Sequence, residues 1–386
     1  MALPRAAREV LSQRALNRAT LARQMLLERR KLTVAQAVER LAGLQAQAPN
    51  PPYIGLWSRL EGFRREQLTE ALRKRRVVRM STLRATLHLM AASDALAWRP
   101  LLEPVHQRGL LGNHKRALDG IDHAAVVAAG RALLGERPRT AAELGQALGV
   151  RWPGRETVSL AALIRNNVPL AHLPPAGTWN SHQSALLQPL GDWLGDAIDA
   201  APATQDELLL RYLAAFGPAT LADAGAWSGL TGWKAVAERL RPRLREFAGE
   251  DGQVLFDLPR APRPDPETPA PPRLVAEWDS LLLSHADRSR VLSEAHRARV
   301  FTVNGIVRGT VLIDGFVAGV WKIERAKGAA TVVLELFTRW SRAECLGVEE
   351  EALKLLAFTS DDGNERHAVR GLTPSPERRG SRTGAS

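Results

Sequence analysis

A single cysteine, Cys345, stands among 386 residues, so the chain can form no intramolecular disulfide, thiolate zinc cluster or cysteine-ligated iron–sulfur centre. No stretch approaches the roughly 20 consecutive apolar residues that a membrane-spanning helix needs, and no apolar signal core follows the early arginines. A Walker loop, a Rossmann glycine fingerprint and a His-Glu-x-x-His helix are missing as well, which leaves little support for a nucleotide-using or metal-dependent enzyme. Acidic residues are in deficit. Against 53 Lys and Arg stand 41 Asp and Glu, a formal net charge of +12 and a pI near 10.7.

That excess points to a polyanionic partner, with the reservation that arginine greatly outnumbers lysine and GC-rich genomes inflate arginine. Hydrophobic residues make up 45% of the chain, the level of an ordinary globular protein of two or three domains. The expected compartment is the cytoplasm of a bacterium, and neither a cofactor nor a metal is expected.

Residues 14–45 read as helices, with Leu16, Leu21, Met25 and Leu26 on one stripe. Thr33 is placed to cap a second helix carrying Val34, Val38, Leu41 and Leu44, with Gln36 completing a capping box. A helix over 66–73 is followed by a β-rich run over 77–90, with a turn near Ser81 or Arg84. Helices followed by a two-stranded wing describe a winged helix, an elaboration of helix-turn-helix. The plan recurs as a helix capped by Thr140, a helix over 158–165 and a strand over 169–173, then again as a helix over 208–216, a turn over 220–229 and a helix over 233–240. Residues 257–273, crowded with proline and charge, read as a linker. Beyond it, Asn304-Gly305 and Asp314-Gly315 mark hairpin turns within the β-prone run 300–323. A strand over 331–337 and a helix over 349–358 complete a small antiparallel sheet or partial barrel, and a disordered basic tail is expected from Gly371 onward.

The stretch Gly43-Leu44-Gln45-Ala46-Gln47-Ala48-Pro49-Asn50-Pro51-Pro52 puts two uncharged amides where a helix is predicted to stop, since Pro49 forbids regular helix beyond Ala48. In extended backbone, residues two apart face the same way. Gln45 and Gln47 can then hold one water, or one ligand oxygen, between them; they cannot abstract a proton. An ordinary polar helix terminus also accounts for the spacing.

Four elements together resemble the winged-helix DNA glycosylases, and more narrowly the type that confers self-resistance to the DNA crosslinker azinomycin. They are Gln45-Ala46-Gln47, Arg84-Ala85-Thr86-Leu87-His88-Leu89, Tyr212 through Thr220, and Trp278-Asp279-Ser280 through Arg290. The resemblance spans roughly residues 14–360. It implies an α+β, mainly α fold: three tandem winged-helix modules around a C-shaped, positively charged cleft, followed by a small β-rich C-terminal domain. The corresponding boundaries are 1–125, 126–203, 204–272 and 273–370, with 371–386 as the tail. It also implies that Gln45 and Gln47 are catalytic, because they match a Gln-apolar-Gln motif whose sister branch carries Gln-x-Asp. The implied reaction is hydrolysis of the glycosidic bond of alkylated purines in duplex DNA, crosslinks included, by a nucleoid-associated monomer. Lys31 and Lys74 are the lysines nearest the pair in sequence, so a Schiff-base lyase is disfavoured. A winged-helix transcription regulator without catalysis is the alternative.

Several further residues carry two readings each. The run Arg73, Lys74, Arg75, Arg76 and Arg79 is either a solvated face or a set of phosphate contacts, and Arg84 joins it as a candidate for DNA contact. The turn at Asn304 and Gly305, flanked by Arg299 and Arg308, is either a groove probe or a hairpin closing a barrel. His88 projects opposite to Leu87 and Leu89 and suits a structural hydrogen bond. Asp279, His285, Asp287 and Arg288 suit an ion-paired loop bracing the cleft, with Trp278 and Trp321 as core or interdomain anchors.

Overall fold

Helix starts in this chain are written in local chemistry. In the computed structural model, which describes residues 8–195, 200–361 and 365–372, helix Val34–Arg40 opens on the expected capping box. There Gln36 N donates to Thr33 Oγ1 at 3.3 Å and Thr33 N donates to Gln36 Oε1 at 3.0 Å. The same reciprocal pairing opens Ala141–Arg151 (Thr140, Glu143), Gln205–Phe216 (Thr204, Glu207), Leu221–Ser228 (Thr220, Asp223) and Arg342–Thr359 (Ser341, Glu344). Each such cap contributes about 1 kcal/mol. The helices expected near 66–73, 158–165 and 233–240 are present as Arg65–Arg73, Thr157–Asn167 and Trp233–Leu240. Leu221–Ser228 is a helix where a turn was expected, because Thr220 and Asp223 cap it, and the unanticipated helices Ala92–Leu101, Glu103–His114 and His123–Glu136 join the first strand pair to the next set of helices. No helix among the described residues is long and apolar enough to cross a membrane.

Three sheets follow. The central one has five strands in the order Leu44–Gln45, Leu87–Ala91, Val77–Ser81, Leu170–His172 and Leu187–Pro189, all antiparallel. Strand pairs expected to belong to two separate wings therefore form one continuous sheet. A second sheet pairs Arg245–Gly249 with Val254–Asp257 and accepts Val10–Leu11 in parallel. The third joins Arg273–Val275, Thr310–Ile313, Phe316–Ala326, Ala329–Leu336 and Arg366–Arg370. The expectation of a purely antiparallel sheet fails at its edge, where Arg366–Arg370 runs parallel to Ala329–Leu336, because the long helix Arg342–Thr359 returns the chain in the same direction.

Other local expectations are also corrected. The helix carrying Val34 ends at Arg40, so Leu44 lies on a strand and the glutamines do not sit at a helix end. Asp314-Gly315 does turn a hairpin, but Asn304-Gly305 closes only an isolated bridge, Phe301 to Val307, preceded by helix Glu294–Val300 instead of a strand. The linker expected over 257–273 is no free spacer. Carbonyls of Pro262, Pro266 and Thr268 accept hydrogen bonds from Arg23, Arg14 and Arg18 on helix Gln13–Arg23. Most of the expected tail, 373–386, lies outside the described residues.

Alternation along the central sheet divides the core. Val77 and Leu89 face one cluster, where Val38, Leu44, Tyr53 and Leu56 meet Leu274, Val311, Trp321 and Leu355 of the C-terminal part. Val78, Met80 and Met90 face another, with Trp98, Tyr212, Phe216 and Trp227. Full burial of each such side chain stabilises by about 1.5–3 kcal/mol. The sheet is thus clamped on both faces, and its edge strand carries Gln45.

Candidate active site

The turn that delivers the two glutamines is made by Ala42 and Gly43, both in the left-handed region at φ 54° and 91°. Glycine is needed at the second position, because a Cβ there would lie 2.5 Å from the Met90 sulfur. The chain reverses and pairs along Leu87–Ala91, with Gln45 opposite His88 and Ala46 N donating to Leu87 O at 2.8 Å. Leu44 and Ala46 turn into the core. Gln45 takes the face of His88, at 9% exposure, and Gln47, just past the strand, is open to solvent.

The two amides are held differently. Gln45 Oε1 accepts from Arg84 Nη2 at 2.9 Å, whereas Gln47 Oε1 receives only a long 3.4 Å bond from Leu87 N. Arg84 lies in the turn joining Val77–Ser81 to Leu87–Ala91, where the sequence suggested one, and its Nη1 donates to the Trp227 carbonyl. Beneath Gln45, His88 is buried, and its Nδ1–H donates to Thr86 O at 2.9 Å. Burial, reinforced by the Arg84 charge, lowers its pKa to about 3, so the ring is neutral and its Nε2 lone pair faces Arg84 Nη2 at 3.5 Å. The structural role expected of His88 is what its contacts support.

Arginines hold the strand from both faces, Arg84 on the Gln45 side and Arg79, opposite Leu89 in register, on the Leu44 side. Arg79 Nε donates to Ala46 O at 2.9 Å and Nη2 to Gln47 O at 3.5 Å, gripping the backbone between the amides, while Nη1 approaches His172 Nδ1 at 3.3 Å. Burial, with the charges of Arg79 and Arg165 adding, holds His172 neutral at about 3. Among the described residues, no carboxylate lies in ion-pair range of Arg79, Arg84 or Arg165. Accordingly burial lowers all three, and it takes Arg84 to about 10 with Arg288 adding repulsion. They remain cationic near neutrality. His172 and Arg165 were missed by the sequence reading, since only the pairing of Val77–Ser81 with Leu170–His172 brings them here.

The other candidates are dispersed. Arg73, Lys74, Arg75 and Arg76 are exposed; Lys74 pairs with Glu70 at 2.9 Å and Arg75 stacks on Trp193 at 4.4 Å. Arg299 and Arg308 share one carboxylate, Glu335, at 3.1 and 3.0 Å. Between them the Asn304-Gly305 turn exposes Val303 fully, and Gly305 O accepts from Trp278 Nε1 at 3.3 Å. Asp279 is buried against Arg59 at 2.7 Å and caps helix Ser280–Leu283. The expected ion-paired loop does not form as one unit. His285 is buried and neutral, lowered to about 3 by burial, with Nε2–H donating to Phe216 O at 3.0 Å. Asp287 instead accepts from Ser289, and Arg288 donates to Leu282 O and lies over Phe301. Trp321 is the anchor expected of it, its Nε1 donating to Val275 O at 3.0 Å. No cluster of three or more His, Cys, Asp or Glu among the described residues is placed to hold a metal.

Two neutral amides, a neutral imidazole and uncompensated arginines supply no group that titrates near neutrality. Such a site can orient a polar ligand and attract an anion, but it offers no strong acid or base.

A sequence model of the AlkZ-like DNA glycosylase family matches residues 38–358. The chain is similar to an interstrand DNA cross-link repair glycosylase of Streptomyces sahachiroi, with 26% identity over 364 residues, 86% of this chain and 92% of that one. It shares its fold with the solved Streptomyces sahachiroi DNA glycosylase AlkZ, at a TM-score of 0.75 and 22% identity, over 94% of this chain and 99% of the other.

Proposed function

This chain belongs to the AlkZ-like DNA glycosylases, and from that premise we propose that it hydrolyses the glycosidic bond of cationic N7- or N3-alkylated purines in duplex DNA, interstrand crosslinks among them. Gln45 and Gln47 place the water. Membership in an enzyme family sets aside the reading as a non-catalytic regulator. The observation that carries the proposal is the pair itself: two neutral amides two residues apart, Gln45 held by Arg84 and Gln47 open to solvent, with Arg79 on the backbone between them and no carboxylate in ion-pair range of either arginine among the described residues.

Alkylation at N7 or N3 gives the base a positive charge, so its bond to C1′ is already weakened. As that bond breaks, its electron pair passes to the base and cancels the charge, so the leaving group needs no proton from a strong acid. Water then bonds to C1′ and releases a proton to solvent. The protein has to orient that water and lower the cost of charge building on the sugar. An amide carbonyl accepts a hydrogen bond from water but cannot keep a proton. Activated leaving groups should therefore be released and undamaged purines left alone. The relative named for crosslink repair supports the extension to crosslinks. Neither glutamine contacts a lysine; their side-chain partners are Arg84 and the backbone of Leu87, which supports hydrolysis without a lyase step.

The proposed architecture is three winged-helix modules, 1–125, 126–203 and 204–272, around a C-shaped cleft, with 273–370 as a fourth unit in a monomer. Three helix sets, each followed by the strand pairs 77–81 with 87–91, 170–172 with 187–189 and 245–249 with 254–257, support it.

The test is release of N7-methylguanine from alkylated duplex, and unhooking of an azinomycin-type crosslink, by wild type, Gln45→Ala and Gln47→Ala. Release that falls in both variants while duplex binding persists is the expected result. Wild-type protein that binds duplex yet releases nothing from either substrate would overturn the proposal.

A further inference from the structure

We propose that Arg84 is the positioning residue of Gln45, and that it orients this amide because the hairpin tip carrying it is docked on the end of helix Leu221–Ser228. The inference rests on the catalytic reading of Gln45 given above.

Arginine has only donors, so the 2.9 Å contact from Arg84 Nη2 requires the Gln45 oxygen to face it and sends Nε2 the other way. Without that contact the two orientations of the amide are nearly equivalent in shape. The bond is charge-assisted, and no carboxylate diverts the guanidinium. His88 offers only its Nε2 lone pair, since its Nδ1–H is committed to Thr86 O.

Arg84 is itself held from the far side. Its Nη1 donates to the Trp227 carbonyl in the last turn of Leu221–Ser228, the end of a helix that carries partial negative charge. Arg108 donates to the carbonyl of Gly229, directly beyond. The backbones touch as well: a Cβ on Gly229, whose φ is +81°, would lie 2.9 Å from Val105 Cγ1 and 3.4 Å from Arg84 Cα. The tip adopts a conformation that L residues avoid, with Arg84 at φ 53° and Ala85 at φ 55° in succession. Through Arg84 this strained tip contacts both a helix end and Gln45, a link that sets the amide from a distant part of the chain.

The experiment measures single-turnover release of N7-methylguanine and the Kd for unmodified duplex. Arg84→Met and Arg84→Lys are each made in the wild-type and in the Gln45→Ala background. Arg84→Met is expected to slow release by about 10- to 100-fold with a much smaller change in Kd, as loss of orientation does. In the Gln45→Ala background it is expected to slow release no further, because the two residues act as one unit. Arg84→Lys keeps the charge but offers one ammonium to two acceptors, so an intermediate rate is expected, and this variant decides the matter should Arg84→Met fold poorly. Equal slowing in both backgrounds, a loss confined to Kd, or Arg84→Lys matching wild type would overturn the proposal. Release by Gln45→Ala as fast as by wild type would instead remove the catalytic reading of Gln45.

Discussion

Arg59 and Arg79 are the same residue type with opposite solutions to burial. Arg59 is enclosed with Asp279, as Arg23 is with Asp257, at 2.7 Å in both pairs, and Arg18 closes on Asp314. These pairs tie the first helices to the C-terminal third of the chain. Arg79 and Arg84 give their donors to carbonyls and an amide instead, and burial lowers their pKa with no anion to offset it. One set is neutralised internally and holds the scaffold. The other has no internal counter-charge; Arg84 holds the Gln45 amide and Arg79 the backbone between Gln45 and Gln47. A net charge of +12 therefore does not say which cations lack an internal partner; the distribution of carboxylates does.

The sharpest contrast is catalytic. Replacing Gln47 by Ala should cost about 100- to 1,000-fold in base release, the scale of losing one oriented polar group in an active site. Arg59→Met should leave release by the folded protein unchanged. If the two variants lost activity alike with stability intact, the division between scaffold and site would fail.

Stability should show the reverse order. Arg59→Met strands the buried Asp279 carboxylate and should cost about 3–5 kcal/mol in denaturant unfolding. Arg79→Met leaves no carboxylate unpaired and should cost about 1 kcal/mol, the net worth of its hydrogen bonds.

Salt dependence separates the arginines by partner. Arg79→Ala or Arg165→Ala should reduce the slope of log affinity for duplex against log salt by about one, whereas Arg308→Ala, already shared with Glu335, should change it less. An equal change at all three sites would mean that internal pairing does not govern DNA contact.

A last contrast concerns pH. His88, His172 and His285 are each lowered to about 3 by burial in the folded state. A histidine lowered on folding contributes stability that is complete above its unfolded value of about 6.5 and is lost as pH falls toward 3. The unfolding midpoint should therefore drop between pH 6 and 4, while base release, which uses no group titrating in that range, should stay flat wherever the protein remains folded. His88→Asn should lessen the acid slope if the assignment is right.

Legibility followed range. The capping box at Thr33 and the N-cap at Thr140 lie within four residues of what they cap and were readable. The strand under the glutamines was not, because it depends on a left-handed turn at Ala42 and Gly43 and on pairing with Leu87–Ala91 more than 40 residues on. Asn304-Gly305 misled for the opposite reason: its turn chemistry is correct, but helix Glu294–Val300 occupies the flank where a strand was expected.

By itself, then, the sequence determined the helix starts, the β-rich C-terminal part, the excess of positive charge and the two amides, all of which depend on residue type and short spacing. Only the tertiary structure decided which arginines are free. Arg59 meets Asp279 from 220 residues away and Arg23 meets Asp257 from 234, while the guanidinium of Arg84 finds a helix end and an amide. Whether a charge is cancelled at home or left for DNA is a matter of distance in space, and that distance exists only once the chain has folded.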